Sequence, residues 1–100
     1  MTERPFALLT QEHCPACDRL ERMLAGPLRG QYAAQIEVVH RQQHPSAFEA
    51  LAAAHSLRAT PALLHRPSGQ VLAAPTGLGE VQRFFALERV AAGEPLGQLR

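Results

Sequence analysis

FALLTQEHCPAC, residues 6–17, contains the signals that determine the architecture of this chain. Its first part, Phe6–Thr10, is a short apolar run that is typical of a buried strand. Residues 11–13 are polar and indicate a loop. Cys14-Pro15 then begins a helical pattern, because proline in the first turn of a helix loses no hydrogen bond. The sequence therefore predicts a strand, a loop and a helix, with a cysteine where the helix begins.

The elements that follow the cysteines alternate between helix and strand. Cys17, Leu20, Met23 and Leu24 recur at three- and four-residue spacing, which places them on one helical face. Gly26-Pro27 ends that helix. Residues 36–40 are rich in β-branched side chains and predict a second strand.

Two more strands and a helix are predicted between residues 46 and 74. Ser46 and Glu49 match a capping box, which predicts a helix with Ser46 as its N-cap and Glu49 reaching back. Residues 62–65 and 71–74 are apolar runs separated by a turn at Pro67-Ser68-Gly69-Gln70, and the spacing predicts a β-hairpin.

The last helix completes an α/β domain. It begins at Thr76-Gly77-Leu78-Gly79, and Gly93 and Pro95 end it. The order is β-α-β-α-β-β-α, and the first two strands are expected to be parallel through a helical crossover. We therefore predict a four-stranded mixed sheet flanked by three helices, formed by residues 1–92, with a mobile tail over residues 93–100.

Composition excludes several classes of function. The chain has 100 residues and a formal net charge of +1. It lacks the basic patch of a nucleic-acid-binding domain, and no apolar run is long enough to cross a bilayer. The first residues lack the pattern of a signal peptide. We expect a cytoplasmic monomer that binds neither nucleic acid nor membrane.

Cys14 and Cys17 are the only cysteines of the chain. A bridge over so short a loop removes little entropy from the unfolded chain, so the pair is a poor staple and a better reactive site. Unpaired N–H groups and the helix dipole stabilise a thiolate at a helix N-terminus. Cys14 is therefore expected to attack a disulfide, and Cys17, one turn further on, to resolve the mixed disulfide.

A cysteine pair at this spacing is also half of a tetrahedral zinc site. The remaining ligands would have to come from the histidines, which are His13, His40, His44, His55 and His65. A second cysteine pair is absent from the sequence, and His40 and His44 have no helical register to hold them. We therefore expect no metal site and no cofactor.

The chain resembles the thioredoxin superfamily across residues 6–90. The matching features are Cys14-Pro15-Ala16-Cys17 after the first strand, His44-Pro45 before the second helix, Thr60-Pro61 before the third strand, the turn at Ser68-Gly69, and Gly77 before the last helix. The resemblance implies a thioredoxin-like fold and thiol–disulfide oxidoreductase activity. The expected substrate is a disulfide-containing protein or a small thiol, with a reductase or glutathione as electron donor.

The resemblance also implies roles for particular residues. Pro61 is expected to follow a cis peptide bond beside the cysteines, and Thr60 to pair its backbone with the substrate chain by strand addition. His13, Pro15 and Gly77 are expected to contribute to the same binding surface. The chain departs from typical thioredoxins at His13, where they have tryptophan, and from glutaredoxins at Gln11, where they have lysine. The alternative function is a binding or redox-sensor module in which oxidation of the cysteines switches a partner interaction.

Overall fold

The computed structural model describes residues 4–91. Its strands are β1 (Phe6–Thr10), β2 (Ile36–His40), β3 (Ala62–His65) and β4 (Gln70–Ala73). Its helices are α1 (Pro15–Ala25), α2 (Pro45–His55) and α3 (Leu78–Ala91), and a short 3-10 helix over Ala33–Gln35 precedes β2. The predicted order of strands and helices is confirmed. Gly93, Pro95 and the predicted tail at 93–100 lie outside the described residues.

The four strands form one mixed sheet in the order β2-β1-β3-β4. β1 pairs in parallel with β2, and the crossover between them contains α1. β3 is antiparallel to both β1 and β4, so the predicted hairpin is confirmed. β4 ends at Ala73, one residue earlier than expected, because Ala74 has a φ of 45° and leaves the strand conformation.

The sheet is covered on both faces, which explains why β1 is apolar at nearly every position. Successive side chains of a strand point to opposite faces. Phe6 and Leu8 therefore lie in one core with Leu20 of α1 and Phe85 of α3. The opposite core contains Ala7, Leu9, Val39, Phe48, Ala62 and Leu64, of which Phe48 belongs to α2. Because both faces of β1 are buried, the strand is held firmly in the sheet, and the cysteine-bearing loop begins at its end.

His65, at the end of β3, is a polar residue in the first of these cores. Its side chain is 1% exposed, and its ring centroid lies 5.0 Å from that of Phe6. Nδ1 lies 2.7 Å from the hydroxyl of Ser68, and Nε2 lies 2.9 Å from a carboxylate oxygen of Glu88. Both ring nitrogens are hydrogen-bonded, as a buried polar side chain requires, so this histidine fastens α3 to the hairpin.

The predicted capping box at Ser46 and Glu49 is wrong. α2 begins at Pro45 with His44 as its N-cap, and no side chain caps it. Proline fits the first helical position because its φ is preset and its missing N–H would be unpaired there. Ser46 therefore lies inside the first turn, where it cannot act as the cap.

β2 forms one edge of the sheet. The N–H of Arg41 donates to the Thr10 carbonyl of β1, so Ile36, Val38 and His40 direct their backbone groups to the open side. Arg4 Nη1 donates to the Ile36 carbonyl at 2.8 Å, and the N–H of His44 donates to the His40 carbonyl at 2.7 Å. Among residues 4–91, none of the helices has the length and apolar character needed to span a membrane.

Candidate functional site

Cys14 lies at the junction between the loop that leaves β1 and the first turn of α1. It is the N-cap of α1, with extended backbone, and Pro15 follows in the first turn. The sulfur of Cys14 accepts a hydrogen bond from the N–H of Cys17 at 3.1 Å. The helix therefore directs one of its unpaired N–H groups at this sulfur, as an N-cap side chain ordinarily requires.

Cys14 and Cys17 form a disulfide, with their Cα atoms 5.2 Å apart. Cys14 is 8% exposed and Cys17 is 1% exposed. Cys17 lies on the face of α1 that packs against the sheet, together with Leu20. Cys14 is therefore the more accessible of the two residues to a reactant from solution.

Thr60 lies beside the disulfide although it is 46 residues away in the chain from Cys14. The Thr60–Pro61 peptide bond is cis, as expected. The Thr60 hydroxyl oxygen is 3.6 Å from the Cys14 sulfur. Pro61 is buried, and its carbonyl accepts a hydrogen bond from the N–H of Ala74 at 2.7 Å.

The backbone of Thr60 is unpaired within the described part of the chain. β3 begins at Ala62, and neither the N–H nor the carbonyl of Thr60 makes a hydrogen bond to residues 4–91. Backbone groups of this kind, next to the end of a strand, can accept an added extended segment.

His13 and Gly77 are placed differently from the cysteines and Thr60. His13 is exposed, with a φ of 55°, and its side chain makes no hydrogen bond within residues 4–91. Gly77 precedes α3 and has open space where a side chain would project. Its neighbour Thr76 lines a cavity of about 210 Å³ together with Ala16, so this segment borders the cysteine motif.

Glu80 fixes the start of α3 next to that cavity. Its carboxylate accepts hydrogen bonds from the N–H groups of Thr76 and Gly77. The N–H of Thr76, and then that of Gly77, lowers the pKa of the Glu80 carboxyl from its ordinary value of 4.5. The carboxylate is thus the form that holds this end of the helix.

Thr60 lines a second cavity, of about 270 Å³. Its lining includes Gln11, Arg41 and Arg58. Arg41 donates to the side-chain oxygen of Gln11 at 3.2 Å, whereas Arg58 makes no hydrogen bond or ion pair within the described chain. These arginines could not be singled out from the sequence, because no local pattern indicates that residues 41 and 58 line one cavity with Thr60.

The described residues contain no group of three or more histidine, cysteine or acidic side chains arranged to hold a metal ion. Both ring nitrogens of His65 are hydrogen-bonded, one to Ser68 and the other to Glu88, so this histidine would have to give up a hydrogen bond to bind zinc.

Comparison of the chain with protein-family models, with curated proteins and with solved structures found no match.

Proposed function

We propose that this protein is a thiol–disulfide oxidoreductase with a thioredoxin-like fold, and that Cys14 and Cys17 are its catalytic residues. The observation that carries the proposal is the Cys14–Cys17 disulfide at the N-terminus of α1, with Thr60 3.6 Å from the Cys14 sulfur. The order of the elements and the cis bond before Pro61 support the thioredoxin-like assignment.

The reaction begins from the reduced dithiol. The Cys14 thiolate attacks one sulfur of a substrate disulfide, forms a mixed disulfide and releases the other substrate sulfur as a thiolate, which takes a proton from water. The Cys17 thiol gives its proton to water and attacks the Cys14 sulfur. The bond between Cys14 and the substrate breaks, and the second substrate sulfur leaves as a thiolate, which takes a proton from water. The protein is left with the Cys14–Cys17 disulfide. Two electrons have passed from the protein to the substrate.

The two cysteines have different environments that match these two steps. The sulfur of Cys14 receives the N–H of Cys17, and the positive end of the helix dipole favours negative charge at this position. Cys17 is nearly inaccessible, so it meets the Cys14 sulfur and not a substrate in solution. The first residue attacks and the second resolves.

Thr60 is the residue that we propose to hold the substrate. Its unpaired backbone N–H and carbonyl can extend the sheet by one strand of substrate, while its hydroxyl lies beside the attacking sulfur. The substrate is a disulfide-containing protein or a small disulfide, and a reductase or glutathione returns the electrons. The activity belongs in the cytoplasm, where thiols are kept reduced, and needs one copy of the chain.

Trapping of the mixed disulfide tests the proposal. In Cys17→Ser, attack can occur but resolution cannot, so a substrate should remain covalently attached through Cys14. Cys14→Ser should form no adduct at a comparable rate, and the double variant is the control. The measurement is mass spectrometry of the species captured under non-reducing conditions, together with turnover of a model disulfide with glutathione or with thioredoxin reductase as the reductant.

Equal trapping by both single variants would contradict the division between the two cysteines. Absence of trapping together with absence of turnover would refute the enzyme and leave a redox-controlled binding module as the function of the pair.

A further inference from the structure

Two loops lie side by side at the end of the sheet where the chain continues from β1 to Cys14. The loop at residues 11–13 follows β1, and the turn at residues 41–43 follows β2. Because β1 and β2 are parallel and in register from Phe6 with Ile36 to Thr10 with His40, both segments leave the sheet at the same end.

Two hydrogen bonds join these segments, and a third joins the turn to the last residue of β1. The N–H of Glu12 donates to the side-chain oxygen of Gln42 at 2.9 Å. Arg41 Nη1 donates to the side-chain oxygen of Gln11 at 3.2 Å, and the N–H of Arg41 donates to the Thr10 carbonyl at 2.9 Å. Of these, the bond to Gln42 is the one made to the backbone of the cysteine-bearing loop, two residues before Cys14.

The turn is itself fixed to the rest of the fold. His40 Nδ1 accepts hydrogen bonds from the N–H groups of Gln42 at 3.2 Å and Gln43 at 3.3 Å. The guanidinium of Arg41 lies 5.6 Å from the centre of the Phe48 ring on α2. The side chain of Gln42 therefore extends from an anchored turn.

The loop before Cys14 needs such a contact. His13 has a φ of 55°, in the left-handed region that residues other than glycine adopt at a cost. The side chain of His13 makes no hydrogen bond within residues 4–91 that would hold it there. The conformation that brings Cys14 to the N-cap position is therefore maintained by hydrogen bonds that other residues of the loop make. One of these is the bond from the N–H of Glu12 to the side chain of Gln42.

We propose that Gln42 is a positioning residue for Cys14: by holding the N–H of Glu12, it keeps the 11–13 loop in the conformation that places the Cys14 thiolate at the N-terminus of α1. This inference rests on the proposed function for its consequence in catalysis. Gln42 makes no hydrogen bond to either cysteine, and its effect passes through the backbone of residues 12 and 13.

The test compares neighbouring glutamines in a Cys17→Ser background, where Cys14 is the one titrating thiol. Gln42→Met keeps the size of the side chain and removes the acceptor. Gln43→Met is the matched control, because the Gln43 side chain is exposed and makes no hydrogen bond within the described chain. The rate of alkylation by iodoacetamide is measured from pH 5 to 10, and the unfolding free energy is measured in urea.

Gln42→Met should move the midpoint of the pH profile upward and slow alkylation at pH 7 by about twofold to tenfold, the range for loss of one ordinary hydrogen bond. Gln43→Met should leave both unchanged. Gln42→Glu retains an acceptor oxygen, so its profile should coincide with that of Gln43→Glu, which adds the same charge one residue further on.

A Gln42→Met profile identical to that of Gln43→Met would overturn the proposal. So would a loss of unfolding free energy with no movement of the midpoint, since that result would make Gln42 merely structural. Hydrogen exchange of the unmodified protein gives an independent measurement: the Glu12 amide should exchange more slowly than that of His13, and equal exchange would overturn the proposal. Because alkylation needs no turnover, a failure of the proposed enzyme activity would be recognised separately.

Discussion

Reduction of the Cys14–Cys17 disulfide is expected to leave the protein folded and to lower its unfolding free energy only slightly. The bond joins residues three apart, so it closes a loop of four residues. The chain-entropy relation for such a loop gives a stabilisation of about 2 kcal/mol at 25 °C. In the reduced protein, a Cys14 thiolate at the N-cap recovers part of this through the helix dipole and the N–H of Cys17. The net loss should therefore lie between zero and about 2 kcal/mol.

Urea unfolding of the oxidised and reduced protein, followed by circular dichroism at 222 nm, measures this difference. For a small domain that unfolds with a slope of about 1–3 kcal/mol per molar urea, the midpoint should move by no more than about 2 M. The Cys14→Ser, Cys17→Ser double variant is the control, and its midpoint should be the same with and without dithiothreitol.

A reduced protein that is unfolded in buffer, or that loses more than about 4 kcal/mol, would refute the reasoning. A domain of this size is stable by about 5–15 kcal/mol, so a loss of that size would make the bond a main support of the fold. A pair that must remain oxidised for the chain to fold cannot also cycle between dithiol and disulfide in catalysis.

Two further predictions concern the charged residues Glu80 and Arg58. The N–H groups of Thr76 and Gly77 hold the pKa of Glu80 below its ordinary value of 4.5, so the stabilisation from this carboxylate should be complete at neutral pH and should be lost as the pH falls through the lowered pKa. The difference in unfolding free energy between the wild type and Glu80→Gln should therefore shrink below pH 4.5. A difference that grows below pH 4.5 would contradict this role of Glu80. Arg58→Gln should slow oxidation of the dithiol by a carboxylate-bearing disulfide by up to about fivefold without affecting a neutral disulfide. Arg19→Gln, which removes a charge from the cavity lined by Ala16 and Thr76, should preserve the ratio of the two rates.

Local signals in the sequence predicted most of the fold and the position of Cys14 at the start of α1. The apolar run of β1 and the Cys14-Pro15 start of α1 are confirmed at the residues expected. Gly26 ends α1, and the turn at Ser68-Gly69 joins two antiparallel strands, as predicted. Each of these features depends on residues within a few positions of one another, where backbone preferences act directly.

Features that depend on distant partners could not be predicted in the same way. The capping box at Ser46 had the right residue types, but the helix starts at Pro45, two positions earlier than a Ser46 cap would place it. The bond from Glu12 to Gln42 joins residues 30 positions apart, and an exposed glutamine has no pattern that reveals such a partner. The cis bond at Pro61 could be predicted only from the family resemblance. The dipeptide Thr60-Pro61 alone would predict a trans bond, because cis bonds are a small minority of X-Pro bonds in proteins.

The hydrogen bonds on the open side of β2 affect the tendency of this protein to aggregate at high concentration. An exposed edge strand is a template for strand-by-strand polymerisation. Here the carbonyls at both ends of the strand, those of Ile36 and His40, already accept hydrogen bonds from Arg4 and His44, so an incoming strand finds its ladder interrupted on either side of Val38. Growth of an ordered aggregate along this edge would first have to displace both bonds. We therefore infer that Arg4, which lies just before β1, opposes aggregation by keeping the Ile36 carbonyl hydrogen-bonded.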